Sequence, residues 1–218
     1  EDPGNITKSL NALGLERAAK WFLYLVTKSP DARLWQRVWW ASARITGYLL
    51  LPMLLMRFAV KVPLKEAGLK LGGSSQWKTY ALLFSIVAPF IFAASYGTAF
   101  QNKYPYYRVR QGESLWPGFV AWELLYATQF MGIEFFFRGY FIHGLRKAFG
   151  YGAVFVPIVP YLTIHFGKPL PEAIGSIITG FVLGTLSLKT KSIWGGVCVH
   201  ALVACSMDVL SLWHQGLL

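Results

Sequence analysis

The chain has 218 residues, of which 55% are hydrophobic, 17% aromatic and only 14% charged. Average soluble domains carry about 25% charged residues, so the composition excludes an ordinary water-soluble domain and points to a polytopic membrane protein of one domain. The net charge of +11 does not imply nucleic acid: the basic residues fall between apolar runs, without a basic helix or aromatic platform, and membrane lipid is the partner this pattern predicts.

Residues 1–36 form an N-terminal amphipathic, interfacial region, in which "LERAAKWFLYLVTK" (Leu15 to Lys28) reads as a helix lying in the headgroup layer. The first strongly apolar run comes late, so no cleavable signal peptide is expected. Residues 37–117 hold two accessory spans, about 38–56 and 80–99, joined by the basic loop Arg57–Lys78. Residues 118–213 form the core, with full spans at about 118–138 and 193–213, since a crossing helix needs about 20 residues.

Two shorter core segments lie between those spans. Tyr151–Phe166 carries Pro157 and Pro160 and is expected to be kinked or irregular, whereas Pro171–Leu188 opens on a proline suited to a first helical turn. Irregular backbone at membrane depth is tolerated where protein or a wet cavity surrounds it, which suits His165 as a cavity-lining residue. Ser176, Gly180 and Gly184 recur every four residues, a stripe that lets another helix approach closely. The fold class is therefore an all-α transmembrane bundle of about six spans plus an interfacial helix. Basic residues divide nearly equally between its two faces, and the short loops alone would put Arg57–Lys78, Arg146, Lys147, Lys189 and Lys191 in the cytoplasm. Cys198 and Cys205 lie about 10 Å apart along one helix, too far for a disulfide.

Five polar side chains fall inside apolar segments: Glu134, Arg138, His165, His200 and Asp208. Such residues are expensive in a membrane and mark functional sites by default. Glu134 and Arg138 are four apart and share a helix face, so they can also be a plain ion pair. Glu123 lies near the expected membrane edge, where a solvated carboxylate is unremarkable. Gly196, His200, Ala204 and Asp208 form one stripe along the last span. A glutamate and two histidines converging in a dry cavity can activate water as a general base or hold a metal that does so. The spacing leaves both open.

The stretch "IEFFFRGYF" (Ile133 to Phe141), followed by "YLTIHFGKPLPEAIGSIITGFVLGTLSLKTKSIWGGVCVHALV" (Tyr161 to Val203), resembles the CAAX protease and bacteriocin-processing family of intramembrane glutamic-type proteases. That family carries a Glu-Glu-x-x-x-Arg helix, a Phe-x-x-x-His segment and a His-x-x-x-Asn helix, in this order. The resemblance covers about residues 118–213 and implies an integral protein of the bacterial inner (cytoplasmic) membrane. It implies an endopeptidase acting on membrane-anchored or C-terminal-tail polypeptides through a Glu/His-activated water. Glu134, Arg138, His165 and His200 match motif positions and are the catalytic candidates. No cofactor is firmly implied; zinc is the alternative, and its ligands would be Glu134, His165 and His200.

Three positions depart from the family pattern. Ile133 stands where the family has its first Glu, which works there with the motif-two histidine to activate water. Tyr161 replaces the motif-two Phe, and Ala204 replaces the Asn that helps a histidine hold the oxyanion. Glu134 could act as the base if its helix turned it toward His165, and Gln129, one turn before Ile133, could place water. His200 could still donate to an oxyanion, whereas Asp208 is too far from His200 to replace the Asn directly and could orient a polar chain. A catalytically inactive member that binds or scaffolds a peptide tail is the alternative function. A proton-coupled transporter using the same buried groups is a third, though no inverted repeat supports it.

Overall fold

The computed structural model describes residues 3–218, leaving aside the side chains of Ser74 and Ser75. It is an all-α helical membrane bundle, and among the described residues the only β pairing is an isolated bridge between Leu69 and Ser192. Helix α1 spans Pro3–Ala12 and α2 spans Glu16–Thr27. Trp21 and Tyr24 on α2 are exposed while Ala19 and Val26 are buried, the division expected of an interfacial helix.

Helix α3 covers Ala32–Ala59 and is longer than the sequence pattern suggests. It absorbs Pro52 between two π-helical turns, Thr46–Leu50 and Leu55–Ala59. A proline inside a helix removes one N–H and crowds the preceding turn, and a widened turn relieves that without ending the helix. Helix α4, Ser74–Ala94, stops before the expected 99 because Ser95 Oγ donates to Phe92 C=O at 2.7 Å and a turn follows. Helix α5 is short, Thr98–Lys103.

Helix α6 is the centre of the bundle. It starts as Gly118–Glu134, widens into π-helical turns over Phe135–His143 and closes as Gly144–Phe149, well beyond the expected end at 138. It packs against α3 on one side and against the last helix on the other. The segment after it is irregular, as its prolines require: a 3₁₀ turn over Gly150–Val154, then α7, Ile158–Thr163, beginning directly after Pro157. Helix α8 is Leu170–Thr190 and α9 is Trp194–His214. By length and composition α3, α8, α9 and Gln76–Ala94 of α4 can each cross a membrane. This is an integral membrane protein.

The small-residue stripe on α8 does what its spacing predicts. A Cβ on Gly180 would lie 3.3 Å from Tyr161 Cδ1, and one on Gly184 would lie 2.9 Å from Ile142 Cδ1. The stripe thus lets α8 close on α6 and α7. Cys198 and Cys205 are free thiols.

Two loops are tied to α9 from opposite ends. The basic loop meets its start: Ile193 N–H donates to Gly68 C=O at 2.9 Å, and Trp194 Nε1–H donates to Leu69 C=O at 2.9 Å. The loop after α5 meets its end: Ser211 Oγ donates to Tyr104 C=O at 2.5 Å, and the Tyr106 N–H donates to both Asp208 oxygens at 3.2 Å. Held at both ends, α9 has a defined depth and rotation against α6, and that places His200.

Candidate active site

Glu134 is the last residue of the regular part of α6, and Arg138 follows one turn later inside the π-helical stretch. Both are 1% exposed. Widened turns of this kind recur at functional sites because they re-aim side chains that a regular helix would place elsewhere. Glu134 Oε1 lies 3.0 Å from Arg138 Nη1, so the pair expected from the spacing is formed. The approach satisfies an ion pair by distance, but its angle does not make a hydrogen bond, and Arg138 Nη1 and Nη2 have no hydrogen-bond acceptor. The guanidinium lies over the Tyr161 ring instead, its Cζ 4.5 Å from the centroid.

His200 comes to this pair from α9. Its Nδ1 is 3.1 Å from Glu134 Oε1, and its ring packs on Phe130 with centroids 4.5 Å apart. Gly196, one turn earlier on α9, lets the carboxylate in: a Cβ there would sit 2.4 Å from Glu134 Oε2. That oxygen is buried and has no hydrogen-bond partner, an arrangement that leaves one lone pair of a carboxylate free for a water or a substrate N–H. The other face of the imidazole looks at Tyr161, whose hydroxyl is 3.4 Å from His200 Nε2.

His165 does not join Glu134. Its Nδ1–H donates to Tyr161 C=O at 2.8 Å, an i to i−4 bond that continues the end of α7, and its ring packs edge-on to the Tyr161 ring. It lines an apolar groove of about 430 Å³ with Leu162, Phe166, Leu170, Ile174 and Ile177. The arrangement is therefore a chain, Glu134 to His200 to the Tyr161 hydroxyl, with His165 attached to the same tyrosine through its backbone. This geometry does not suit the conditional zinc set. Glu134 and His200 converge, His165 is turned to a carbonyl, and among the described residues no three metal-ligating side chains gather.

The remaining candidates sit apart. Asp208 accepts hydrogen bonds from the Tyr106 N–H and from Trp122 Nε1–H at 3.4 Å, and so anchors a loop rather than extending a polar chain toward His200. Glu123, expected at a solvated edge, has both carboxylate oxygens buried beside Asp208 and Cys205, because α6 and α9 pack closely there. Gln129 is 2% exposed with its Oε1 unpartnered. Ile133 and Ala204 are buried in one apolar cluster with Tyr126, Phe130, Phe137 and Tyr161, so two departures from the family pattern meet in a single dry wall. Tyr161 is the residue that sequence reasoning undervalued. Its signal was present as an added hydroxyl at a position where the resembling family carries Phe.

Residues 114–206 match the family described as type II CAAX prenyl endopeptidase Rce1-like. Over this stretch the chain is similar to the CAAX protease family. The matched stretch holds Glu134, Arg138, Tyr161, His165 and His200, so the family assignment and the polar chain rest on the same part of the molecule. No match is found among curated proteins or among solved structures. Endopeptidase activity is what the description of that family names.

Proposed function

We propose that this protein is an intramembrane endopeptidase that cleaves membrane-associated or C-terminal-tail polypeptides with a water deprotonated by His200. The observation that carries this reading is the 3.1 Å contact of His200 Nδ1 with the buried Glu134 carboxylate. A carboxylate accepting the Nδ1–H fixes the imidazole tautomer, leaves Nε2 basic and stabilises the imidazolium that forms when it takes a proton. Arg138, 3.0 Å away, holds Glu134 in place. Ile133 removes the carboxylate that the family pattern uses for water, and the Glu134–His200 dyad supplies a base from the residues that remain.

Water oxygen bonds to the scissile carbonyl carbon, its proton passes to His200 Nε2, and the carbonyl π pair moves onto oxygen. Collapse re-forms the carbonyl, breaks the C–N bond and returns the proton from Nε2 to the leaving amine. Burial strengthens each of these electrostatic contacts relative to water. The groove beside His165 is suited to the apolar part of a substrate, such as the lipid chain or transmembrane portion of a tail.

The test is comparative mass spectrometry of protein C-termini in cells carrying the wild-type protein, Glu134→Gln or His200→Ala at matched abundance. A set of tails that stays uncleaved in both variants supports the reading and names the substrates. Identical tails in all three refute it. The second reading, an inactive member that binds a tail, draws on Ile133 and Ala204 closing one apolar wall. It expects His200→Ala to keep tail binding and phenotype.

A further inference from the structure

We propose that Tyr161 is a catalytic residue of this site, donating its hydroxyl hydrogen to the oxygen that becomes negative when water attacks the substrate carbonyl. The inference rests on the peptidase reading above and names the group that reading lacks. His200 Nδ1 is occupied by Glu134 and Nε2 is needed to receive a proton, so the dyad by itself contributes no donor to an oxyanion. Among the side chains facing His200 Nε2, the Tyr161 hydroxyl supplies one, at 3.4 Å.

That distance is informative. An O–H to N hydrogen bond normally closes to about 2.7–3.2 Å, so the phenol is near the imidazole without being locked to it. At 3.4 Å there is slack for the O–H to rotate away toward an oxygen of the substrate, while Nε2 turns its lone pair to the water. The ring itself has no comparable freedom. Phe137 packs edge-on at 5.0 Å, the Arg138 guanidinium covers one face at 4.5 Å, and Gly180 of α8 admits its edge. A clamped ring that holds its hydroxyl beside His200 Nε2 is pre-organised for charge that appears only in the transition state, the property that makes such donors effective.

The ring's packing also separates catalysis from structure. Tyr161→Phe keeps every one of those contacts and removes a single oxygen, so the fold is retained and only the donor is lost. The experiment uses the full chain in lipid nanodiscs, an S-farnesyl peptide as substrate and the matching peptidyl phosphinate as a tetrahedral oxyanion mimic. Tyr161→Phe is expected to lower kcat by about 10²–10³ with KM unchanged, as for loss of one oxyanion donor. It is expected to lower phosphinate affinity at least tenfold while leaving affinity for the uncleaved peptide alone. Wild-type kcat and phosphinate affinity in the variant overturn the role of Tyr161 and leave the peptidase reading standing. A wild-type protein that hydrolyses nothing, yet binds phosphinate in a Tyr161-dependent way, overturns the peptidase reading and keeps the donor. Absent or Tyr161-independent phosphinate binding overturns the donor whatever the hydrolysis result.

Discussion

Removal of the Arg138 guanidinium tests the electrostatics of the site directly. Arg138→Met keeps a long apolar stem over Tyr161 but leaves Glu134 with the His200 imidazole as its remaining polar partner. Two unit charges at the observed 3.0 Å attract by about 5 kcal/mol at an effective dielectric of about 20. Both side chains are 1% exposed, so water is a poor substitute for the lost partner. Breaking a buried pair from one side costs about 3–5 kcal/mol, and with His200 retaining part of the interaction the loss is expected near the lower bound, about 3 kcal/mol. The double variant Glu134→Gln, Arg138→Met removes the stranded charge and is expected to recover most of this, giving a coupling of about 2 kcal/mol or more. Reversible unfolding in mixed lipid and dodecyl sulfate micelles measures all four corners of the cycle. Additivity within about 0.5 kcal/mol would mean that water reaches the pair, and the picture of a dry, mutually dependent charge cluster would be wrong.

Three further outcomes are expected. Gly196→Ala puts a methyl 2.4 Å from Glu134 Oε2 and must displace the carboxylate from His200, so tail cleavage in the C-terminal mass-spectrometry assay should fall while the protein still folds; unchanged cleavage would sever the carboxylate from the reaction. Gly184→Leu cannot be accommodated against Ile142 and Val154, and overpacking of about 1–3 kcal/mol should appear in the same micelle titration, with Gly184→Ala milder because the nearest atom is a side-chain tip. On the surface, Arg33 Nη2 at 2.5 Å and the Arg110 N–H hold the Glu113 carboxyl below its usual 4.5. Stability from that tie is complete above about 4.5 and is lost as pH falls through the lowered folded value. The two side chains are 36% and 30% exposed, which limits the effect to under about 1 kcal/mol. The stability gap between wild type and Glu113→Gln should therefore narrow in acid, and a gap independent of pH would contradict the assignment.

The sequence carried the local relations and lost the ones that depend on tertiary context. The i to i+4 spacing of Glu134 and Arg138 predicted their pairing, and the step of four from Gly196 to His200 placed a small residue and an imidazole on one face of α9. Both are properties of a single helix. The orientation of His165 was not legible, because it follows from how α7 ends between two prolines and a glycine. The lengths of α3 and α6 escaped for a related reason: π-helical turns continue a helix past a proline or a polar residue only when neighbours hold it. Glu123 was read by its distance from the helix ends, whereas the packing of α6 on α9 decides its surroundings. The apolar wall that joins Ile133 to Ala204 is invisible in one dimension, since each substitution looks like an isolated loss.

The placement of Arg138 one turn after Glu134 bears on how the protein is made. Sixty-six positions separate Glu134 from His200 in sequence, so α6 is synthesised before α9. A lone charge at the centre of a hydrophobic helix opposes insertion by about 2.5–3.5 kcal/mol, but a counter-ion carried on the same helix travels with it. A chain truncated before Trp194 should therefore still insert α6, as glycosylation mapping of its flanks would read out. The imidazole arrives later, with α9. A nascent chain exposed among other membrane proteins thus has its acid paired before His200 is made.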